Sequence, residues 1–279
     1  RSVIAVPSQL IVMLEHAQRH GPQKIEQTQL VMIGGAPWPR ARTPQLQVLF
    51  PNARIVEFYG ASETSFIAWT DSRADLPPTA VGRPFPSVDL HIAPTGAASK
   101  KATPSAALPG LIYVRSPMLF TGYATATPCE GPTLARDGEW TSVGDMGHLD
   151  SEGLLHLAGR QQRMFVVQGK NLFPEEVEQV LTDHPSIASA SVQAASDAIR
   201  GMRAVAILEV VQPVDRSTLA AWCHERLESY KTPRRIYVCA SWPRTPSGKT
   251  DHALLGRLLA DYPGGPPGWE LLQWRRQSP

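Results

Sequence analysis

Two contrasting periodicities open the chain. SVIAV, residues 2–6, is apolar almost without interruption; Pro7 and Ser8 then lead into QLIVMLEHAQRHG, where Leu10, Leu14 and Ala17 recur at helical spacing. The first pattern predicts a strand, and the second a helix with its apolar stripe on a core and Gly21 placed to end it. QLVMIGG, residues 29–35, is a continuous apolar run closed by glycines, as in a strand covered on both faces. TPQLQVLF then reads as a helix and ARIVEFYG as a third strand, so residues 1–75 are predicted to form part of a large parallel α/β domain.

Between residues 76 and 160 the pattern changes to short strands separated by turns. VDLHIA, GLIYVRS, EWTSVGDMGHLD and LLHLAGR alternate or run apolar over strand lengths, the last two joined by Asp150-Ser151-Glu152-Gly153 as a hairpin turn. A small barrel-like sheet is the expectation, with PTGAASKKATPSAALPG as a polar loop. From 161 to 262 the pattern is α+β. A Pro-started helix PEEVEQVLTDH is followed by strands IASASVQAA and RAVAILEVV, an Asp215-capped helix STLAAWCHERLES, strand RIYVCASW and helix DHALLGRLLADY. The Pro/Gly-rich tail, 263–279, is expected to pack irregularly or fray. No internal repeat is visible. The fold class is therefore α/β plus α+β: a partial parallel α/β subdomain, a β-rich subdomain and a C-terminal α+β domain.

Composition narrows the function. A chain of 279 residues with 42% apolar content can bury two or more cores. The 27 Lys and Arg against 25 Asp and Glu exclude a broad nucleic-acid surface, so any anion is handled locally. Cys129, Cys223 and Cys239 lack CxxC spacing, which argues against a disulfide framework or a zinc site and predicts a reducing, cytoplasmic setting. No apolar run approaches the roughly 20 residues of a membrane span. The start, RSVIAVPSQL, has no apolar leader and opens on a strand, as though the chain were entered partway.

PRTPSGKTD, residues 243–251, ends like a phosphate-cradling P-loop at Gly248-Lys249-Thr250. That reading fails on Pro243, which stands where such a loop needs glycine, and on Pro246, which offers no backbone N–H.

MIGGAP, EFYGASET, LFTGY with SVGDMGHLD, AGRQQRMFVVQGKNLFPEEVE and PRTPSGKTD resemble, in order and spacing, the acyl-adenylate-forming enzymes: acyl-CoA synthetases, luciferases and peptide-synthetase adenylation domains. The resemblance runs from residue 1 to about 260. It implies ATP-dependent activation of a carboxylic acid through acyl-AMP, with transfer to CoA or to a carrier-protein phosphopantetheine, in fatty-acid-type metabolism. It also implies a C-terminal domain that swings as a lid.

The resemblance assigns roles to individual residues. Lys249 would bridge the carboxylate and α-phosphate; Glu63 would be the Mg²⁺ ligand, a hard donor for a hard cation; Ser62 would donate to the α-phosphate. Tyr59 offers a flat ring beside adenine. Gly34, Gly35, Ala36 and Gly60 would be the small residues of a nucleotide and acyl slot. Asp145 would accept from both ribose hydroxyls, and Arg160 would reach the ribose and phosphate. Gln162, where the family usually has Asp or Lys, would be the hinge, followed by Arg163 in place of a frequent acidic residue. Gly169 would let the thiol-bearing arm pass.

The family's own Ser/Thr/Gly-rich phosphate loop is not found in these residues, nor is the α/β region that would cover residues 1–75. The expectation is a C-terminal portion of an enzyme about twice as long, whose missing half is a partner. Leu111, where the family commonly has Glu, carries no assigned role. His148 and His156 lie across a hairpin without a third ligand and are read as structural. Taken singly, a GG after a strand is a turn, Asp145 a turn aspartate, Glu63 a helix-start carboxylate and Lys249 a solvated lysine; the rival reading is a non-catalytic remnant that binds a nucleotide or a partner.

Overall fold

The computed structural model describes residues 1–21, 24–73, 75–94, 105, 108–123, 134–197, 201–246, 248–262 and 264–272. Most of the polar run 94–110, Cys129 and the end of the tail lie outside them. The chain divides into two compact units, Arg1–Gln161 and Gln162–Pro279, each with its own core.

The first unit begins β1 (Ser2–Ala5), α1 (Pro7–His20), β2 (Leu30–Ile33), α2 (Thr43–Leu49) and β3 (Arg54–Ala61). Each helix carries the chain back across the sheet, so β1, β2 and β3 pair in parallel, Val3 beside Val31 and Val31 beside Ile55. The stripe read from the sequence is the buried one: Leu10 and Leu14 of α1 pack with Leu46 and Leu49 of α2 over Val31, Ile33 and Ile55. Pro7 opens α1, where a missing N–H costs nothing.

The sheet continues through β4 (Ser65–Asp71), β5 (Ala80–Pro84), β6 (Asp89–Ala93), β7 (Gly110–Arg115), β8 (Ala135–Asp137), β9 (Trp140–Ser142), β10 (Asp145–Leu149) and β11 (Leu155–Arg160). Its strand order is β1-β2-β3-β4-β5-β11-β10-β7-β9-β8, with β6 beside β7. Three of these strands, β4, β5 and β8, have no counterpart among those expected from the sequence, and β4 and β5 join the parallel part to the antiparallel part. The segment EWTSVGDMGHLD, read as one strand, is two: Gly144, at φ +86°, breaks it. Asp150 closes the β10–β11 hairpin as expected, its Oδ1 accepting from the amides of Glu152 and Leu154 at 2.9 Å each. His148 and His156 stack at 4.8 Å, and the His156 ring nitrogens lie 3.0 Å from Asp150 Oδ2 and 3.1 Å from Thr79 Oγ1, a structural use of both imidazoles.

Arg40 ties the parallel part together. Its guanidinium donates to both carboxylate oxygens of Glu57 on β3, at 2.8 and 3.0 Å, and to the carbonyls of Pro77 and Ala80 at 2.7 and 2.6 Å.

The second unit holds a hairpin, β12 (Phe165–Val167) and β13 (Lys170–Leu172), then α3 (Pro174–Thr182), β14 (Ile187–Asp197), β15 (Gly201–Val210), α4 (Arg216–His224), β16 (Arg235–Cys239), α5 (His252–Asp261) and β17 (Trp269–Leu271). β14 and β15 form a long antiparallel pair, α4 carries the chain across to β16 parallel to β15, and β17 closes the order β14-β15-β16-β17. Val177 and Leu181 of α3, Leu219 and Cys223 of α4 and Ala206 and Leu208 of β15 share its core. Burial there pushes the Cys223 thiol up to about 11. Asp215 caps α4, accepting from the Thr218 amide at 2.9 Å.

The tail differs from its expected irregular packing. Trp269–Leu271 adds a strand to β16, with the Trp269 ring 5.8 Å from that of Tyr237. Gly265, at φ +100°, makes the turn, and a Cβ there would lie 2.7 Å from the Tyr237 ring. No helix among the described residues is long and apolar enough to cross a membrane.

Candidate active site

The motif YGASE forms the tip of a β-hairpin. Ala61 pairs with Ser65, which leaves Ser62, Glu63 and Thr64 as a three-residue loop; the Thr64 amide donates to the Ala61 carbonyl at 3.2 Å, and Ser65 takes φ +57°. This is a tight turn followed by a left-handed residue, a common three-residue hairpin connection. Glu63 is therefore at a hairpin tip and not at a helix start. Gly60 sits at the neck of the turn, where a Cβ would stand 2.0 Å from the Ser65 carbonyl oxygen. Because the obstacle is backbone, Gly60→Ala must open the hairpin. A loss of about 1–3 kcal/mol in a urea unfolding series is expected, with Glu63 displaced.

Glu63 is held by Tyr123, whose hydroxyl donates to Oε1 at 2.8 Å, while its carbonyl accepts from the Phe120 amide at 3.0 Å. That hydrogen bond, then the removal of water and the Glu63 charge, raises the Tyr123 phenol above its ordinary range. Tyr123 was not singled out from the sequence, although it ends the quoted LFTGY segment. Ser62 is exposed at the same tip. No group of three or more acidic, histidine or cysteine side chains that could hold a metal ion occurs among the described residues. A single half-buried carboxylate nonetheless fits Mg²⁺, which commonly takes one or two protein carboxylates and completes its shell with water and substrate phosphates.

Tyr59, Asp145 and Arg160 come together. Tyr59 Oη donates to Asp145 Oδ2 at 2.5 Å and Arg160 Nε donates to Oδ1 at 3.2 Å. Burial first, then the Asp145 charge and hydrogen bond, raises the Tyr59 phenol well above its ordinary value, so it stays a donor. Tyr59 is on β3 and Asp145 begins β10, and β4, β5 and β11 lie between them in the strand order. Four steps across a flat sheet would separate them by about 19 Å, farther than the two side chains reach. Their contact requires the sheet to curl. Register irregularities at Tyr59/Gly60, Met146/Gly147 and Leu155/His156 supply local twist in three of its strands.

Gly34, Gly35 and Ala36 follow β2. The room a Cβ would need at Gly34 is taken by the Phe58 ring, 2.4 Å away, and Gly35 sits at φ +84°. The fold itself thus demands glycine at Gly34 and favours it at Gly35, and also at Gly60, whatever the slot holds.

In the second unit, Gly169 occupies a two-residue turn between β12 and β13. Gln168 and Gly169 both have positive φ, 52° and 77°, and nothing stands within 4 Å of where a Gly169 Cβ would be. Lys249 lies in a small loop closed by the Arg244–Thr250 bridge and by the Thr245 amide donating to the Lys249 carbonyl at 2.7 Å. Its side chain is exposed, and among the described residues its ammonium has no hydrogen-bond or ion-pair partner. Asp251 Oδ1 caps α5 by accepting from the Leu254 amide at 2.8 Å, so this helix start spends an amide on its own side chain, against the P-loop reading.

The division between the units falls at Gln161 and Gln162. The Gln161 amide donates to the Gly144 carbonyl at 2.9 Å, within the first unit. Arg163 is locked into the second: it donates to Glu175 Oε1 at 2.9 Å and to both oxygens of Glu178 at 3.0 and 2.5 Å. Glu178 in turn accepts from the Val192 amide at 2.7 Å. Burial opposes the Arg163 charge, but the bonds from Glu178 and Glu175 outweigh it and hold the guanidinium above its usual range. An arginine at position 163 thus has a local reason, the paired glutamates Glu175 and Glu178 of α3.

Residues 1–124 match the family model described as AMP-binding enzyme, and residues 176–249 match that of the AMP-binding enzyme C-terminal domain. An uncharacterized acyl-CoA ligase, YhfT, of Bacillus subtilis is 36% identical over 83% of this chain and 46% of its own length. A 2-succinylbenzoate–CoA ligase of Bacillus cytotoxicus is 31% identical over 83% of the chain and 47% of its own length. Among solved structures, the amide bond synthetase McbA of Marinactinospora thermotolerans superposes with a TM-score of 0.74 at 30% identity, covering 92% of this chain and 51% of McbA. The o-succinylbenzoate CoA synthetase MenE of Bacillus subtilis, in complex with ATP and magnesium ion, gives 0.72 at 28% identity, covering 91% and 51%. The chain spans about half the length of the relatives it matches.

Proposed function

Because the chain belongs to the AMP-binding family of acyl-adenylate-forming enzymes, we propose that it serves the ATP-dependent joining of a carboxylic acid to the thiol of CoA. In the first step a carboxylate oxygen attacks the α-phosphorus of ATP and pyrophosphate leaves. In the second, the thiolate attacks the acyl carbon and AMP leaves. CoA ligases among the relatives favour CoA over a carrier-protein thiol as the acceptor.

The first step sets one anion against another. At an effective dielectric of about 20, two unit charges 4 Å apart interact by roughly 4 kcal/mol, so fixed cations and donors carry much of the catalysis. Lys249, exposed and unpaired among the described residues, is the proposed bridge between carboxylate and α-phosphate. Ser62 donates to the α-phosphate. Asp145 takes the ribose hydroxyls beside the Tyr59 ring, with Arg160 next to it. Glu63, steadied by Tyr123, would hold Mg²⁺, which when bound screens the phosphates. Gln162 is the proposed hinge of the lid, and the open side of Gly169 leaves room for the pantetheine arm. The observation that carries this reading is the gathering of Tyr59, Asp145 and Arg160 at one point from sequence positions up to 101 apart, from Tyr59 to Arg160.

The test measures pyrophosphate exchange and AMP release with ATP, Mg²⁺ and a panel of carboxylic acids. It is run on the chain alone and mixed with the amino-terminal half of the Bacillus subtilis relative. The expected result is exchange in at least one arm, with AMP release accelerated by free CoA. Indifference to CoA would favour a carrier-bound thiol. Tight binding of a non-hydrolysable acyl-AMP mimic without exchange in either arm would instead favour a nucleotide-binding remnant.

A further inference from the structure

Asp145 meets the proposed ribose site with both oxygens already engaged, and its two partners differ in how readily they let go. Arg160 is largely exposed, with 62% of its side chain open to solvent, and its bond to Oδ1 is 3.2 Å long. Water can replace such a contact at little cost. Tyr59 is half-buried and its bond to Oδ2 is short and charge-assisted, the stronger kind. An ionised carboxylate offers about four lone-pair sites, so Oδ2 can keep the Tyr59 hydroxyl and still accept a second donor. Of the two contacts, the exposed Arg160 is the one a vicinal diol would displace, and Tyr59 the one that would stay.

We propose that Tyr59 is a positioning residue for the ribose contact: its hydroxyl, and not only its ring, fixes the rotation of the Asp145 carboxylate, and this gives the site its preference for a nucleotide bearing both hydroxyls. The inference rests on the reading of Asp145 given above. It separates two functions of one side chain, since Phe keeps the ring and removes only the O–H. Without that donor the carboxylate is free to turn toward Arg160 and no longer meets the diol squarely.

The test is calorimetric titration of the chain with AMP, 2′-deoxy-AMP and 3′-deoxy-AMP, for the wild type, Tyr59→Phe and Asp145→Ala. AMP contains the diol and needs no β- or γ-phosphate contact. The wild type is expected to prefer AMP over 3′-deoxy-AMP by roughly tenfold, the worth of one hydrogen bond to a charged group. Tyr59→Phe is expected to shrink that preference to about twofold or less on the same scale. Asp145→Ala is expected to abolish it. If Tyr59→Phe keeps the full preference while Asp145→Ala loses it, the inference is overturned and the reading of Asp145 stands. If Asp145→Ala changes nothing, or the wild type binds no AMP, the reading falls and the inference with it. A purely structural role for Tyr59 would weaken all three ligands equally and leave the ratio untouched, which also overturns the inference.

Discussion

Replacing Lys249 with Ala is expected to lower acyl-adenylate formation by about 10²–10³-fold, the usual cost of deleting one preorganised donor from a developing anionic transition state. Thioester formation from supplied acyl-AMP should change little. The measurement is made on whichever form of the protein shows pyrophosphate exchange, following exchange for the first half-reaction and AMP release from acyl-AMP and CoA for the second. The asymmetry follows from the proposed lid, which would present Lys249 for the first step only; in its own unit Lys249 is exposed, and its ammonium has no partner among the described residues. Its removal should therefore leave the thermal midpoint unchanged. Equal loss in both half-reactions would contradict a lid that presents Lys249 for one step only.

Arg40→Ala is expected to cost the first unit about 3–5 kcal/mol, because it strands the Glu57 carboxylate in a place closed to water. The side chains of Arg40 and Glu57 are 9% and 13% exposed, and three backbone carbonyls, those of Leu76, Pro77 and Ala80, lose a donor at the same stroke. For a unit of this size the thermal midpoint should fall on the order of 10 °C. Arg54 and Asp71 make an equally well-aligned bidentate pair, but at 56% and 47% exposure water already competes for it. Arg54→Ala should barely move the midpoint. A comparable fall in both variants would show that burial is not what sets the cost at Arg40.

Elements with a strong period were open to reading. The Leu10 and Leu14 stripe, the apolar run of β2, the Pro174 and Asp215 helix starts and the Asp150 turn each announce themselves within a few residues. β4 did not, because it follows β3 after three residues, and the turn between them uses Ser65 at positive φ where glycine would have been the signal. β17 did not either: three residues behind Gly264, Gly265 and Pro266 carry too little pattern, and it is pairing with β16 that makes them a strand. Among the site residues, the segments around Glu63 and Lys249 were visible as motifs, but the hairpin that carries Glu63 was not, since its second strand went unread. The Tyr59–Asp145 contact was not, because it spans 86 residues and depends on the curl of the sheet. Arg40 and Glu57 were hidden for the same reason, each looking like any surface charge until the strands beneath them are in place.

The clamped neighbours of Gln162 constrain more than their own positions. As the proposed hinge, Gln162 would turn between neighbours that are each fastened within their own unit, Gln161 by its amide to the Gly144 carbonyl and Arg163 by its side chain to Glu175 and Glu178. Such a joint has few degrees of freedom to lose. On that proposal, little entropy would be spent on bringing the Lys249 loop to a chosen spot, and its effective concentration there would be set by a tether instead of by diffusion.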